Sequence, residues 1–158
     1  MAPPAVFEEI EPEGRLAQLL AYWERVGKGG IARRDQIDLM DMNPALLPHV
    51  FMVDVLEEGR RFRWRLIGQH IVRHAGTDDT GLYLEISIAP IMRETIIGHY
   101  QRVVRERRPL CHRGDFPGRD LRIYRYERLL LPVLAIDGAS VDTVLGGAVF
   151  TPGLPNAP

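Results

Sequence analysis

Apolar residues recur at two different periods along this chain, and the change of period marks its elements. Over residues 15–26, Leu16, Leu19, Leu20, Trp23 and Val26 return every three or four positions, which places them on one face of a helix. Gly27-Lys28-Gly29-Gly30 ends that helix, with glycine expected at the left-handed position of the C-cap. Residues 50–56 are β-branched and aromatic, 57–60 form a turn, and 61–66 alternate strictly. The two runs predict a hairpin in which Phe62, Trp64 and Leu66 face a core and Arg61, Arg63 and Arg65 face outward.

The period returns to helical over residues 70–75, breaks at the polar turn 76–81, and resumes in a long helix over 88–107. Pro90 suits the first turn of that helix, Ser87 stands where an N-cap is expected, and Arg105, Arg107 and Arg108 complement its C-terminal dipole. Met92, Ile96, His99, Tyr100 and Val103 share one of its faces. Strand patterns follow over 109–116, 121–134 and 141–150, the last two joined by a turn at Asp137-Gly138. Two strands, then helices, then three strands describe an α+β domain: one five-stranded antiparallel sheet with the helices largely on one face. Residues 1–14, with Pro3, Pro4 and Pro12 among Glu8, Glu9, Glu11 and Glu13, are expected to be a flexible lead-in. Residues 151–158 are expected to be a flexible tail, leaving 15–150 as a single domain.

Composition narrows the function classes. At 158 residues and 46% hydrophobic, the chain suits one globular domain. A net charge of −1 supplies no global field for nucleic acid or an anionic membrane, and neither is expected as a partner. Cys111 stands alone, which excludes an internal disulfide and a cysteine-built zinc site. The start has neither the basic nor the apolar region of a secretory signal, and no apolar run approaches the roughly 20 residues of a membrane span. A cytoplasmic protein is the expectation.

A family resemblance rests on residues spread from Leu16 to Gly147. Leu20, Tyr22 and Trp23 lie on the first helix, followed by Arg33, Arg34, Asp35 and Asp38. Leu46-Leu47-Pro48 leads into Val53-Asp54-Val55, and Arg61 to Gly68 is followed by Asp79-Thr80-Gly81. Glu127-Arg128-Leu129-Leu130-Leu131-Pro132 and Asp137-Gly138 stand near the end. In this order the motifs resemble a family of short, stand-alone PAS-like proteins common in alphaproteobacteria. The chain departs from that pattern at Gly68-Gln69-His70, where a small hydroxyl residue is expected after the glycine. The resemblance implies a PAS-like fold, a non-catalytic sensory or regulatory role, and no known reaction. It also implies a pocket between sheet and helices, for which Trp64, Met92, Ile96, His99 and Tyr100 are the candidates. The expected partners are an unknown small molecule and a signalling protein. A second copy is expected to meet the N-terminal helix through Leu16, Leu20 and Trp23. A homodimer with a filled core, or a small enzyme using the same pocket, are the alternatives.

Other chemistry is thinly supported. His70 and His74 share a helical face and could approach a metal with Asp78 or Asp79, but two ligands are too few and solvent-facing histidines are the simpler reading. The cofactor is left open: haem held by His99 is not favoured, and neither is a flavin adduct at Cys111, which sits in a strand rather than a helix. His112 adjoins Cys111 in sequence, but strand neighbours point to opposite faces. Ser87 and Ser140 lie in no nucleophile elbow, and Gly27-Lys28-Gly29-Gly30 is no phosphate loop. The arginine row 61/63/65 is expected to be neutralised across strands by Asp54, Glu127 and Asp142. Signal transmission by population shift is the expected mechanism. Trp64→Ala is expected to cost about 3–5 kcal/mol if the indole is buried, measured by denaturant titration.

Overall fold

Val50, Phe51, Met52 and Val53 are four consecutive strand residues, each at most 8% exposed. Side chains alternate along a strand, so this burial requires a cover on both faces of the sheet. The computed structural model, which describes residues 7–117 and 122–152, supplies both covers. Its elements run β1 (Phe7–Glu9), α1 (Gly14–Val26), β2 (Val50–Leu56), β3 (Arg61–Ile67), α2 (Gln69–Ala75), α3 (Leu84–Ser87), α4 (Pro90–Glu106), β4 (Leu110–Pro117), β5 (Ile123–Leu134) and β6 (Val141–Pro152), with short 3-10 turns between α1 and β3. The strands form one antiparallel sheet in the order β1-β4-β5-β6-β2-β3.

The sheet has six strands where five were expected. The additional strand, β1, lies inside the segment expected to be a lead-in, and it pairs Phe7 with Gly114 and Glu9 with His112. Three residues carry too little periodicity to be read as a strand; pairing with the edge of β4 creates it. The helices also divide between the faces. On the outer face α1 buries Leu16, Leu19, Tyr22 and Trp23 against Leu129, Leu131, Val133 and Leu145. On the inner face α3 and α4 bury Leu84, Ile96, Tyr100 and Val103 against Phe51, Phe62, Leu130 and Val144. The stripe of α1 thus finds its partner within the chain. Leu16 and Trp23 are buried under their own sheet and Leu20 packs partly against it, so the surface expected to meet a second copy is already covered.

Local chemistry departs from expectation in three places. The left-handed residues after α1 are Lys28 and Gly29, whereas Gly27 is right-handed. Ala89 is the N-cap of α4, and the Ser87 hydroxyl instead donates to the Asp79 carboxylate. Trp64 is half-buried and Leu66 is exposed, so the cost of Trp64→Ala falls toward the low end of the expected range. The free edge of β3 is screened: the Trp64 N–H donates to the Leu82 carbonyl (3.0 Å), and the Gly81 N–H donates to the Trp64 carbonyl (2.8 Å).

Two adjacent glycines in β6 let both covers close. A β-carbon on Gly146 would stand 2.1 Å from the Phe51 ring on the inner face. One on Gly147 would stand 2.8 Å from a Leu19 methyl on the outer face. The outer layer is pinned further along, where the Trp23 indole donates to the buried Pro132 carbonyl at 2.8 Å. Gly147→Val is therefore expected to push α1 off the sheet and to cost at least about 1–3 kcal/mol, the usual range for overpacking, as a lowered denaturation midpoint.

Candidate functional site

The inner layer gathers all five residues proposed for a pocket. Ile96 and Tyr100 are buried on α4, Met92 and Trp64 are packed at its margin, and His99 faces the sheet from the same helix. The Trp64 indole N–H is buried without an acceptor among the described residues. A buried N–H in that state costs about 1–3 kcal/mol.

Next to this cluster stands a charge that periodicity did not single out. Arg128 on β5 is 1% exposed. It makes no ion pair with a carboxylate among the described residues, and its Nε has no hydrogen-bond partner there. Its terminal nitrogen donates to His99 Nδ1, so His99 carries its proton on Nε2. The guanidinium also lies beside Tyr100 and Tyr126, whose hydroxyls its charge favours in the ionised form against the larger effect of burial. Its central carbon stands 5.9, 5.5 and 5.8 Å from the ring centres of Phe7, Tyr100 and Tyr126. Removing a cation from water costs several kcal/mol. Cation–π contacts of about 0.5–2 kcal/mol each and hydrogen bonds of about 1–3 kcal/mol offset that cost without neutralising the charge.

Two imidazoles complete the cluster. His112, the cross-strand partner of Arg128, stacks on His99 with ring centres 3.8 Å apart and planes 13° from parallel. Burial, followed by the charge of Arg128, pushes His99 down from 6.5 to about 3 and His112 to about 4. Both rings are therefore neutral at pH 7. His112 Nδ1 is buried without a partner among the described residues.

From this cluster a row of rings crosses the inner face. Phe7 stands edge-on to His99, His112 and Tyr126, Tyr126 stacks on Phe150, and Phe150 stacks on His74. His74 touches His70, which touches His49. All five histidines thus lie along one aromatic row. His70 and His74 do come together, with His49 as the third neighbour in place of Asp78 or Asp79. The lone pair of His70 Nε2 is already committed to the Phe150 N–H at 3.2 Å. His49 Nδ1 lies 3.2 Å from the Ala148 carbonyl. Since β2 pairs with β6 only as far as Gly147, these two imidazoles take the place of a strand partner for Ala148 and Phe150. Among the described residues no three His, Cys, Asp or Glu side chains are placed to hold a metal ion.

The remaining candidates have structural partners. Asp54 takes both Arg63 and Arg65, while Arg61 binds Glu85 and lies over the Tyr83 ring. Glu127 and Asp142, expected on the same row, pair instead with Arg113 and Arg34. Cys111 is buried in the outer layer, opposite His112, and burial pushes its thiol up to about 12. It is unreactive in that state. In the sequence Arg128 heads the apolar run Leu129-Leu130-Leu131, and the register of β5 turns it to the inner face with Leu130.

An antiparallel sheet with a long helix packed on its inner face, and short helices between β3 and that long helix, defines a class of α+β domain. The family model of the PAS domain matches residues 13–148, and the chain belongs to that family. Comparison with curated proteins finds no match. PAS domains are generally non-catalytic sensory modules. Among the described residues no helix is long and apolar enough to cross a membrane.

The imidazoles give the fold a defined pH response. His49, His70, His99 and His112 all titrate below 6.5 in the folded chain, burial being the largest cause for each. The unfolded chain therefore binds more protons below pH 6.5, and stability, complete above that pH, is lost as the pH falls toward 4. Denaturant midpoints are expected to drop between pH 7 and pH 5, and a His99→Gln/His112→Gln double variant is expected to flatten that slope.

Proposed function

We propose that this protein is a ligand-responsive regulatory module that binds a small molecule between its sheet and α4 and relays its occupancy to a signalling protein. The observation that carries this reading is the mismatch of the inner layer. A layer built only to pack has matched polar atoms, whereas this one holds Trp64 Nε1, Arg128 Nε and His112 Nδ1 buried and without partners among the described residues. Apolar surroundings with a few convergent polar groups are the usual composition of a ligand site. Membership of the PAS family supports the regulatory role.

The relay follows from the shared sheet. Strands β5 and β6 carry inner-layer residues on one face and the seat of α1 on the other, so a ligand that alters the inner packing biases the outer layer. No nucleophile, acid–base pair or metal set among the described residues argues for turnover, and the ligand is expected to leave unchanged.

Native mass spectrometry of freshly purified protein, with an absorption spectrum on the same sample, tests the reading. A stoichiometric added mass, or a small molecule that raises the melting temperature and is recovered intact, is the expected result. Chemical conversion of that molecule would turn the module into an enzyme. A bare protein that no member of a broad metabolite panel stabilises would leave an interaction module with a filled core.

A further inference from the structure

We propose that Arg128 and His112 form the receiving end of a site for a small carboxylate anion, closed in this structure by the ring of Phe7. The inference rests on the ligand-site reading above and names the chemistry of the ligand.

Charge is the first argument. Arg128 is fully buried, and no carboxylate among the described residues answers it. The groups that face it from the surrounding elements are His99 and Tyr100 of α4, His112 of β4, Tyr126 of β5 and Phe7 of β1. None of them is an anion at neutral pH. The carboxylate of Glu9 is drawn off to Arg102, and that of Glu8 lies 3.5 Å from Arg113. The site is cationic at Arg128, and the arginines at its margin, Arg102 and Arg113, are each paired with carboxylates.

The number of donors is the second argument. Two buried nitrogens of this cluster lack partners among the described residues, Arg128 Nε and His112 Nδ1, and they belong to cross-strand partners on one face. The Nε–H is a donor, and neutral imidazole places its proton on whichever nitrogen has an acceptor. Two donors on paired residues of neighbouring strands match the two oxygens of a carboxylate in number. A phosphate asks for more.

The cover is the third. Phe7 stands 5.4 Å from His99 and 6.4 Å from His112, ring centre to ring centre. It also rests on Gly114, where a β-carbon would come within 2.8 Å of the ring. The ring is carried by β1, the shortest of the described strands, which lies at the sheet edge. Its own Glu8 and Glu9 bind Arg113 and Arg102, which ties β1 to its neighbours through side-chain ion pairs.

The test uses the full chain with acetate, succinate and citrate as probes, their amides as uncharged controls, and inorganic phosphate. Calorimetry reads affinity, and the side-chain Nε–H resonance of Arg128 reads the site. The expected result is that at least one carboxylate binds, its amide does not, and the Arg128 Nε–H signal moves. Arg128→Met is expected to weaken that binding by about tenfold or more, as loss of a charge-assisted hydrogen bond does. Phe7→Ala is expected to strengthen it. Should Arg128→Met fail to fold, the wild-type resonance and Phe7→Ala decide. Binding of amides or other uncharged metabolites with an unmoved Nε–H signal would overturn the anion site and leave the ligand-site reading standing. A response to phosphate alone would overturn the carboxylate assignment. If neither charged nor uncharged probes bind, even to Phe7→Ala, both readings fall and Arg128 is a structural cation held by rings.

Discussion

A sheet that is apolar on both faces must be covered on both, and the rest of this structure depends on that demand. Alternation along β2 sends Phe51 and Val53 one way and Val50 and Met52 the other, and none of the four reaches solvent. The first helix and the long helix α4 are thus two halves of one requirement. Gly146 and Gly147 meet it at the centre, where Phe51 and the leucines of α1 approach the β6 backbone from opposite sides. A pair of ordinary side chains there would separate both layers from the sheet at once.

The two layers differ in kind. The outer layer is almost wholly hydrocarbon, and its two polar ring groups are satisfied, Trp23 by the Pro132 carbonyl and Tyr22 by the Asp38 backbone. The inner layer mixes hydrocarbon with rings, imidazoles and a buried guanidinium. In the outer layer nearly every contact lowers the energy of one arrangement. The inner layer holds interactions that partly cancel: ring contacts of the Arg128 cation against its desolvation, and imidazole stacking against the polar atoms left without partners among the described residues. Regulatory proteins keep alternative states within a few kcal/mol of each other, and a partly compensated layer beside a fully compensated one suits that use.

Much of the fold was legible in the sequence because its elements are long and periodic. Helices α1 and α4, the β2–β3 hairpin and the last three strands were readable from spacing alone, and five positions on the inner layer were named from one helical face and one alternating strand. What escaped shares a cause. Strand β1 and helix α3 are three and four residues long, below the length at which a period shows. The stripe of α1 could have met either the body of the domain or a second copy, because a single amphipathic stripe does not say which apolar surface it will cover. The roles of Arg128, His112 and His49 depend on cross-strand register and on where β2 stops, which are long-range properties. The family motifs include Arg128 inside Glu127-Arg128-Leu129 without marking which way it points.

The chain has two tryptophans, and they fall on opposite sides of the sheet. Trp23 is locked in the outer layer with its N–H bonded to a carbonyl; Trp64 stands at the margin of the inner layer with its N–H free of any acceptor among the described residues. The molecule therefore carries one native fluorophore in each of its two compartments, one insulated and one responsive. Emission from the second follows events beneath α4, while emission from the first registers only those that travel through the sheet.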